Sequence, residues 1–328
     1  MAVIGIESSA HTLGVGISEN GKVLANAREM YSIGIGGMIP MKVADFHAGN
    51  VRKVVRSALR EAGLKLSDIT AIGYTKGPGI GPCLRVAQVA AKTIAAQYHI
   101  PIFPVNHAIA HIEITKQLFH SSDPLTLYVS GGNSQIVALD SEPYMHYKVY
   151  GETFDIGVGN MIDSFAREAK LTPAWGSTVA KVAQGGKYVE MPYSVKGMDF
   201  TFTGLLTHAT KVLHSGTVNL RDVAYSLQET AFAMLVEAME RALFLTSKKD
   251  VTLCGGVAQS TRLQEMLKGM ARSHGTRFFV APNEYNADNG AMIAVVAEKM
   301  HESGIKCPIS ACTVDQKYRI DSVRVAWQ

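Results

Sequence analysis

The chain has 328 residues, of which 47% are hydrophobic and 18% charged, and its formal net charge is +4. This composition supports a large buried core and excludes a disordered chain. A single core rarely grows beyond about 300 residues, which favours two domains. No apolar run is long enough to cross a bilayer, and the amino terminus lacks a basic signal region. The four cysteines are scattered and form no C-x-x-C pair. We therefore expect a cytoplasmic protein without a membrane partner.

The first half of the chain alternates strands with helices. Its predicted elements are the strands Val3–Ile6, Thr12–Ser18 and Lys22–Ala27, the helix Ala44–Ala62, the strand Ile69–Tyr74, the helix Arg85–Gln97 and the strand Ile102–Val105. Glu19-Asn20-Gly21 is typical of a hairpin turn between the second and third strands.

The same order of elements begins again at Leu125. Its predicted elements are the strands Leu125–Val129, Gln135–Leu139 and Tyr147–Tyr150, a long helix from Leu220 to Phe244, the strand Val251–Cys254, a helix from Ser260, the strand Phe278–Val280 and a last helix from Ala287. Both halves begin with a strand that runs into a turn of small residues. The sequence therefore predicts a duplicated α/β unit, with a ligand cleft between the halves.

Three turns of small residues follow predicted strands. They are Ser8-Ser9, Ser130-Gly131-Gly132-Asn133 and Gly255-Gly256. Because glycine and serine let backbone N–H groups approach an anion closely, the first two turns are candidates for binding a polyphosphate, and the third for binding a nucleoside. For either of the first two turns taken alone, a tight β-turn is the favoured interpretation, whereas their repetition at matched places in the two halves favours phosphate binding. Asp155 and Asp163 would either bind a ribose hydroxyl or cap a helix.

A histidine pair provides the strongest chemical signal. His107 and His111 are four residues apart directly after a predicted strand, so both imidazoles lie on one helix face and could bind one metal ion. Asp288, at the start of the last predicted helix, is a candidate third ligand, and its alternative role is an N-cap. A zinc protease has a glutamate directly after the first histidine, where this chain has Ala108.

These motifs together resemble the family that makes threonylcarbamoyladenosine in tRNA, and within it the catalytic subunits of the archaeal and eukaryotic KEOPS complex. An older family name is O-sialoglycoprotein endopeptidase. The resemblance runs from Ile4 to about Val325. Its most specific stretches are Gly5–Thr12, Lys76–Val86, Asn106–Glu113, Tyr128–Asn133, Gly157–Asp163, Tyr193–Asp199 and Asp288–Met292.

The resemblance implies a duplicated fold of the actin/Hsp70/sugar-kinase class, which is ribonuclease H-like and two-lobed with an interdomain cleft. We expect an amino-terminal lobe at residues 1–120 and a carboxy-terminal lobe at 121–290. Residues 291–328 would form the final helix and a tail that returns to the first lobe.

The resemblance also implies the site residues. One divalent metal, Fe²⁺ or Zn²⁺, would be held by His107, His111, Asp288 and Tyr128. The substrate and its adenine nucleotide, threonylcarbamoyl-AMP or an ATP analogue, would contact Tyr128, Val129, Ser130, Gly131, Gly132, Asp163, Gly176 and Ser260. Residues expected on the phosphate side are Glu7, Ser8, Ser9, Asn133, Gly255 and Gly256. The sequence identifies no general base.

The activity implied is transfer of the threonylcarbamoyl group from threonylcarbamoyl-AMP to N6 of adenosine 37, in tRNAs that read codons beginning with A. The implied partners are tRNA and KEOPS subunits, namely a small kinase/ATPase, a small dimerising subunit and an accessory subunit. The alternatives are a metalloprotease of the glycoprotease type, a small-molecule kinase of the same fold and a non-catalytic nucleotide-dependent scaffold.

Overall fold

The computed structural model describes residues 1–32 and 38–327, and the chain divides into two compact units. Unit 1 is formed by Met1–His120, Asp140–Tyr147 and Pro282–Gln328, and unit 2 by Ser121–Leu139 and Lys148–Ala281. Over the described ranges, no helix is both long and apolar enough to cross a membrane.

Twelve strands and ten α-helices are described. The strands are β1 (Ala2–Glu7), β2 (Thr12–Glu19), β3 (Lys22–Met30), β4 (Ile69–Gly77), β5 (Ile102–Asn106), β6 (Leu125–Val129), β7 (Ser134–Asp140), β8 (His146–Glu152), β9 (Val195–Lys196), β10 (Asp199–Phe200), β11 (Asp250–Cys254) and β12 (Arg277–Val280). The helices are α1 (Pro40–Ala62), α2 (Gly81–Tyr98), α3 (His107–Phe119), α4 (Val158–Glu168), α5 (Gly176–Val182), α6 (Thr203–Ser215), α7 (Leu220–Thr246), α8 (Thr261–Ser273), α9 (Asn283–Asn286) and α10 (Gly290–Glu302).

The sheet of unit 1 has the strand order β3-β2-β1-β4-β5. β1, β2 and β3 are antiparallel neighbours, whereas β4 and β5 run parallel to β1. Asn20 and Gly21, with φ of 51° and 71°, form the turn between β2 and β3, as predicted. Because β1, β4 and β5 are parallel, their carboxyl ends lie side by side. Glu7, Thr75 and Asn106 are at or near these ends.

Helices cover both faces of this sheet. Ile4 and Ile6 on β1 face one core, which also contains side chains of α1 and α2. Val3, the residue before Ile4, faces a second core that contains side chains of α3 and α10. Strands buried on both faces are apolar along their length, and β1 is predicted from such a run.

Helix α10 lies unusually close to the sheet of unit 1. A Cβ atom on Gly16 would stand 2.2 Å from the backbone nitrogen of Ala291, and one on Gly290 would stand 2.2 Å from the nitrogen of Gly16. Glycine is therefore required at both positions, since any side chain would push α10 away. This contact fixes where α10 begins and so positions the residues just before it.

The sheet of unit 2 repeats the arrangement of unit 1. Its order is β12-β11-β6-β7-β8, with β7 antiparallel to β6, β11 parallel to β6 and β12 parallel to β11. Read in the opposite direction, this order is β8-β7-β6-β11-β12. The third, second, first, fourth and fifth of its strands along the chain follow one another, as they do in unit 1. The predicted internal duplication is confirmed.

One prediction needs correction. The last long helix begins at Gly290 rather than Ala287, because the short helix α9 precedes it and Asn289 caps it. All four cysteines are free thiols, and the Sγ atoms of Cys307 and Cys312 lie 3.5 Å apart.

Candidate metal centre and the glycine-rich turns

Helix α3 presents the histidine pair at its first turns. The side-chain Oδ1 of Asn106 accepts hydrogen bonds from the backbone nitrogens of Ala108 and Ile109, at 3.0 and 3.1 Å. This N-cap starts the helix directly at the end of β5. His107 and His111 then lie one turn apart, both buried, with ring centroids 4.8 Å apart. The predicted helical pair is confirmed.

Asp288 completes a three-residue cluster with the histidines. Its Oδ1 lies 3.5 Å from Nε2 of His107 and 3.4 Å from Nε2 of His111. The predicted alternative, in which Asp288 caps the last helix, is wrong. Asn289 performs that role, since its Oδ1 accepts from the backbone nitrogen of Met292 at 3.0 Å. The carboxylate of Asp288 is therefore directed at the two imidazoles.

Glu7 is the neighbour that orients His107. It is fully buried at the end of β1, and its Oε2 accepts a hydrogen bond from Nδ1 of His107 at 3.0 Å. The carboxylate also accepts from Oγ1 of Thr75 at 2.6 Å and from the backbone nitrogen of Ser9 at 2.5 Å. Because Nδ1 donates to Glu7, Nε2 is the ring nitrogen of His107 that faces Asp288, and in carboxylate–histidine–metal arrangements a metal ion takes the place of the proton on that nitrogen.

The charges of the cluster suit a cation. Burial opposes the charged form of His107, but the carboxylates of Glu7 and Asp288 outweigh it and raise its pKa to about 9. Burial lowers the pKa of His111, assisted by the charge of His107. Burial opposes the charge of Asp288 as well, yet the two histidines hold its pKa below the usual range. The site thus contains a neutral imidazole beside an ionised carboxylate.

Two imidazole nitrogens and one carboxylate oxygen fit a divalent transition metal. Ligand atoms of His107, His111 and Asp288 all lie within 4.8 Å of one another. Zinc is bound by such nitrogen and oxygen ligands, and a two-histidine, one-carboxylate set is also typical of non-haem Fe²⁺. The donor chemistry therefore fits a metal and leaves its identity open.

Sequence reasoning assigned Glu7 to a phosphate and missed its bond to His107. The signal that could have found it is the strand order. Glu7 ends β1 and His107 follows β5, and parallel strands of one sheet end at the same edge. Ser8 and Ser9, predicted beside a phosphate, are buried there too. The hydroxyl of Ser8 donates to the carbonyl of Cys83 at 2.8 Å, and the carbonyl of Ser9 accepts from the nitrogen of Ile80 at 2.7 Å.

In unit 2, Ser130–Asn133 form the tight turn between β6 and β7. The backbone nitrogen of Ser130 donates to the carbonyl of Asn133 at 2.8 Å, and the nitrogen of Asn133 donates to Oγ of Ser130 at 3.1 Å. The start of α4 packs against this turn, since the nitrogen of Asn160 donates to the carbonyl of Gly131 at 3.0 Å. Gly131 and Gly132 themselves are exposed. The turn therefore has a structural role and an accessible backbone.

Gly255 and Gly256 follow β11 and differ from each other. Gly255 has φ of +95°, and a Cβ there would stand 2.3 Å from the carbonyl oxygen of Val129. At Gly256 nothing described lies within 4 Å of an added Cβ. Tyr128 and Val129 are buried at the end of β6. Glycine at 255 is thus a requirement of the close approach between β6 and the turn after β11.

The remaining predicted residues of unit 2 either lie at the start of a helix or bond to the backbone there. Oδ1 of Asp163 accepts from the backbone nitrogen of Gly176 at 2.8 Å, so these two predicted contacts are brought together. The side chain of Ser260 caps α8. Of the two roles predicted for Asp155, the structure supports the cap. Burial opposes the charge of Asp155, but the hydrogen bonds that it accepts from the nitrogens of Phe202 and Thr203 outweigh burial and lower its pKa to about 2.

The chain is similar to known proteins in its fold and in its sequence. The fold resembles full-length HypF in its phosphate- and nucleotide-bound form, with a TM-score of 0.64, 12% identity, and coverage of 93% of this chain and 47% of that one. This likeness shows the fold alone, that of the actin/Hsp70/sugar-kinase class.

The family model of tRNA N6-adenosine threonylcarbamoyltransferase (TsaD) matches residues 22–295. The protein of that name from Thermococcus sibiricus is 48% identical over the full length of both chains. A protein of Thermoplasma volcanium named "Probable bifunctional tRNA threonylcarbamoyladenosine biosynthesis protein" is 44% identical, and this chain spans 62% of it. The chain therefore belongs to the tRNA N6-adenosine threonylcarbamoyltransferase family and is a transferase, as the sequence motifs predicted.

Proposed function

We propose that the chain transfers the threonylcarbamoyl group from threonylcarbamoyl-AMP to N6 of adenosine 37, in tRNAs that read codons beginning with A. The adenosine N6 attacks the carbamoyl carbon, the new C–N bond forms, and the bond from that carbon to the phosphate oxygen breaks. AMP leaves with the electron pair, and N6 loses one proton. Family membership supports the reaction class.

The observation that carries the proposal is the convergence of His107, His111 and Asp288 on one point, with Glu7 behind His107. Such a donor set is costly to bury without a cation, since each polar group loses its hydration. The same cluster argues against the protease alternative. Ala108 follows His107, and its methyl group offers no general base.

We propose Fe²⁺ or Zn²⁺ as the ion held by these three residues, with Tyr128 as a further ligand on the family resemblance alone. When bound, the ion would supply Lewis-acid stabilisation of charge on the carbamoyl oxygen, or a binding point for the threonyl carboxylate and hydroxyl. The protein's own contribution is orientation. Glu7 keeps the proton of His107 on Nδ1, and the N-cap residues Asn106 and Asn289 fix the starts of α3 and α10.

For the nucleotide we propose backbone contacts from the turn Ser130–Asn133, with Val129 before it and Gly255–Gly256 beside it. The exposed glycines of the turn support this, because a backbone N–H without a neighbouring Cβ can approach a phosphate closely. Asp163 and Gly176 are proposed to contact the ribose or base, and Ser260 to donate one hydrogen bond. Ser8 and Ser9 remain proposed phosphate-side residues, although the backbone nitrogen of Ser9 already donates to Glu7.

The proposed partners are tRNA and the KEOPS subunits: a small kinase/ATPase, a small dimerising subunit and an accessory subunit. The formal charge of +4 is small for a protein that binds tRNA alone, which supports shared RNA binding. A bifunctional relative about one and a half times as long is consistent with a second activity working beside this one. We place the reaction in the cytoplasm.

The transfer assay tests the proposal. The chain and its partner subunits would receive threonylcarbamoyl-AMP and unmodified tRNA, with nucleosides read by mass spectrometry. His107→Ala should abolish the product. His120→Asn is the matched control, because His120 is exposed at the carboxyl end of the same helix with φ of 50°, which Asn tolerates. Product that persists in His107→Ala would remove the metal role, and no product with any variant would refute the activity.

A further inference from the structure

A buried charged cluster lies beyond the histidines on α3. Glu113 is fully buried, and its Oε1 accepts from Nζ of Lys116 at 3.0 Å and from the hydroxyl of Tyr147. Its Oε2 accepts from Nζ of Lys299 at 2.6 Å. Lys116 is also buried, whereas 22% of the Lys299 side chain is exposed. The cluster belongs to unit 1 and plays no part in the proposed transfer chemistry.

The contact between Glu113 and Lys299 joins the two segments that carry the proposed metal ligands. Glu113 lies on α3, six residues after His107 and two after His111. Lys299 lies on α10, whose first residue comes two positions after Asp288. Each helix therefore has the metal cluster at its start and the ion pair further along. Two contacts along a pair of helices fix their relative shift, which one contact cannot do.

The burial of Glu113 makes this contact costly to break. Its carboxylate is fully buried and accepts hydrogen bonds from the ammonium groups of Lys116 and Lys299. A buried carboxylate must keep its hydrogen-bond donors, and moving α10 along α3 would remove the donor that Lys299 supplies, leaving Glu113 with Lys116 and Tyr147. Replacing such a pair by apolar residues often leaves stability unchanged, and so the pair's contribution is better sought in geometry.

We propose that the Glu113–Lys299 ion pair is a positioning device that holds α3 and α10 in register, so that Asp288 stays at ligating distance from His107 and His111. This inference rests on the metal centre of the proposed function. Positioning by groups outside the ligand set typically changes metal affinity by 10- to 100-fold. For a pair that acts through two helices we expect the lower end, about tenfold.

Zinc affinity, measured by competition with a chelator on the full chain, tests the proposal. Lys299→Met removes the charge and keeps the length of the side chain, and should weaken Zn²⁺ binding about tenfold. Lys299→Arg keeps the charge and should recover binding to within threefold. The absorption bands of bound Co²⁺, which report ligand geometry, should change in Lys299→Met and return in Lys299→Arg. If Lys299→Met does not fold, Glu113→Gln should show the same loss more weakly.

Glu298→Gln is the matched control. Glu298 is the preceding residue on α10 and is likewise buried, but it accepts from Oγ of Ser18 at 2.5 Å and from the nitrogen of Gly21 at 3.3 Å, on β2 and its turn. The Glu298→Gln substitution should lower the melting temperature and leave the Zn²⁺ affinity within twofold of that of the wild type. Equal affinity in wild type and Lys299→Met, or an equal loss in Glu298→Gln, would overturn the proposal. A wild type that binds no Zn²⁺ or Co²⁺ would instead refute the metal centre, and this inference with it.

Discussion

Replacing Glu7 by glutamine tests how His107 is prepared as a ligand. The carboxylate accepts from three donors: Nδ1 of His107, Oγ1 of Thr75 and the nitrogen of Ser9. A glutamine has only one oxygen. If that oxygen faces His107, the amide NH₂ faces the N–H of Ser9, and two donors meet. If the amide is reversed, NH₂ faces Nδ1, and the proton of His107 must move to Nε2, the ligating atom.

The size of the expected loss in Zn²⁺ affinity follows from the strength of the hydrogen bond between Glu7 and His107. Hydrogen bonds to charged groups contribute about 1.5–3 kcal/mol, and neutral ones about 0.5–1.5 kcal/mol. The imidazole gains positive character when its Nε2 binds a cation, so above about pH 9, where His107 is neutral in the metal-free protein, this difference acts mainly on the metal-bound form. A loss near 1.4 kcal/mol is tenfold in affinity. We expect Glu7→Gln to bind Zn²⁺ about tenfold more weakly, or worse where the tautomer shifts.

Chelator competition with Zn²⁺ measures this affinity directly, without the partner subunits or tRNA. Glu298→Gln serves again as the control, because it removes a buried carboxylate of unit 1 that contacts no ligand residue. A Glu7→Gln protein that folds and binds Zn²⁺ within threefold of wild type would refute the argument that Glu7 sets the tautomer of His107.

Four further predictions concern two proton-linked properties of His107, a helix cap and a glycine. Zn²⁺ binding near pH 7.5 should release about one proton, since the pKa of His107 is raised to about 9, and calorimetry in buffers of different ionisation enthalpy would count it; no release would contradict the charge state. The raised pKa also means that chelator-treated protein gains stability from His107 below about pH 6.5 and loses it as the pH rises through 9, relative to His107→Gln in urea unfolding. Asn289→Ala should cost about 1 kcal/mol and weaken Zn²⁺ binding, whereas Asn219→Ala, which removes the cap of α7, should cost as much in stability and leave Zn²⁺ binding unchanged. Gly255→Ala should destabilise by more than about 2 kcal/mol in urea unfolding, because of its φ of +95° and the carbonyl 2.3 Å from the new Cβ, while Gly256→Ala should be nearly neutral; equal effects would refute this reading.

The duplicated fold was predictable because its signals are local. Apolar runs, the turn at Asn20–Gly21 and the cap at Asn106 each act over a few residues, and the same order occurs twice. The histidine pair is local for the same reason. The start of the last helix was misplaced because Asp288 and Asn289 are both good N-caps, and sequence alone does not say which residue caps.

The roles of Glu7 and Glu113 could not be predicted because both depend on distant partners. Glu7 meets His107 only after β1, β4 and β5 have assembled in that order. Glu113 meets Lys299 only after α10 packs beside α3, although the two residues are 186 positions apart. In a single sequence, each residue is one acid among 28 Asp and Glu residues, and nothing in its immediate neighbours distinguishes it.

The proposed metal ligands are also far apart in the sequence, which couples metal binding to folding. His107 and His111 come from one end of unit 1's sequence and Asp288 from the other, so an unfolded chain holds at most the histidine pair together. Ion binding that requires all three ligands therefore stabilises only the folded unit, by about 2.7 kcal/mol when the free ion is at 100 times its Kd. Two contacts hold α10 at the position where Asp288 lies beside the histidines. They are the close approach between Gly16 and Gly290 and the ion pair between Glu113 and Lys299. On the proposed positioning role, Gly16, Gly290 and the Glu113–Lys299 pair contribute to the affinity of the proposed metal centre, although none of these residues would touch the ion.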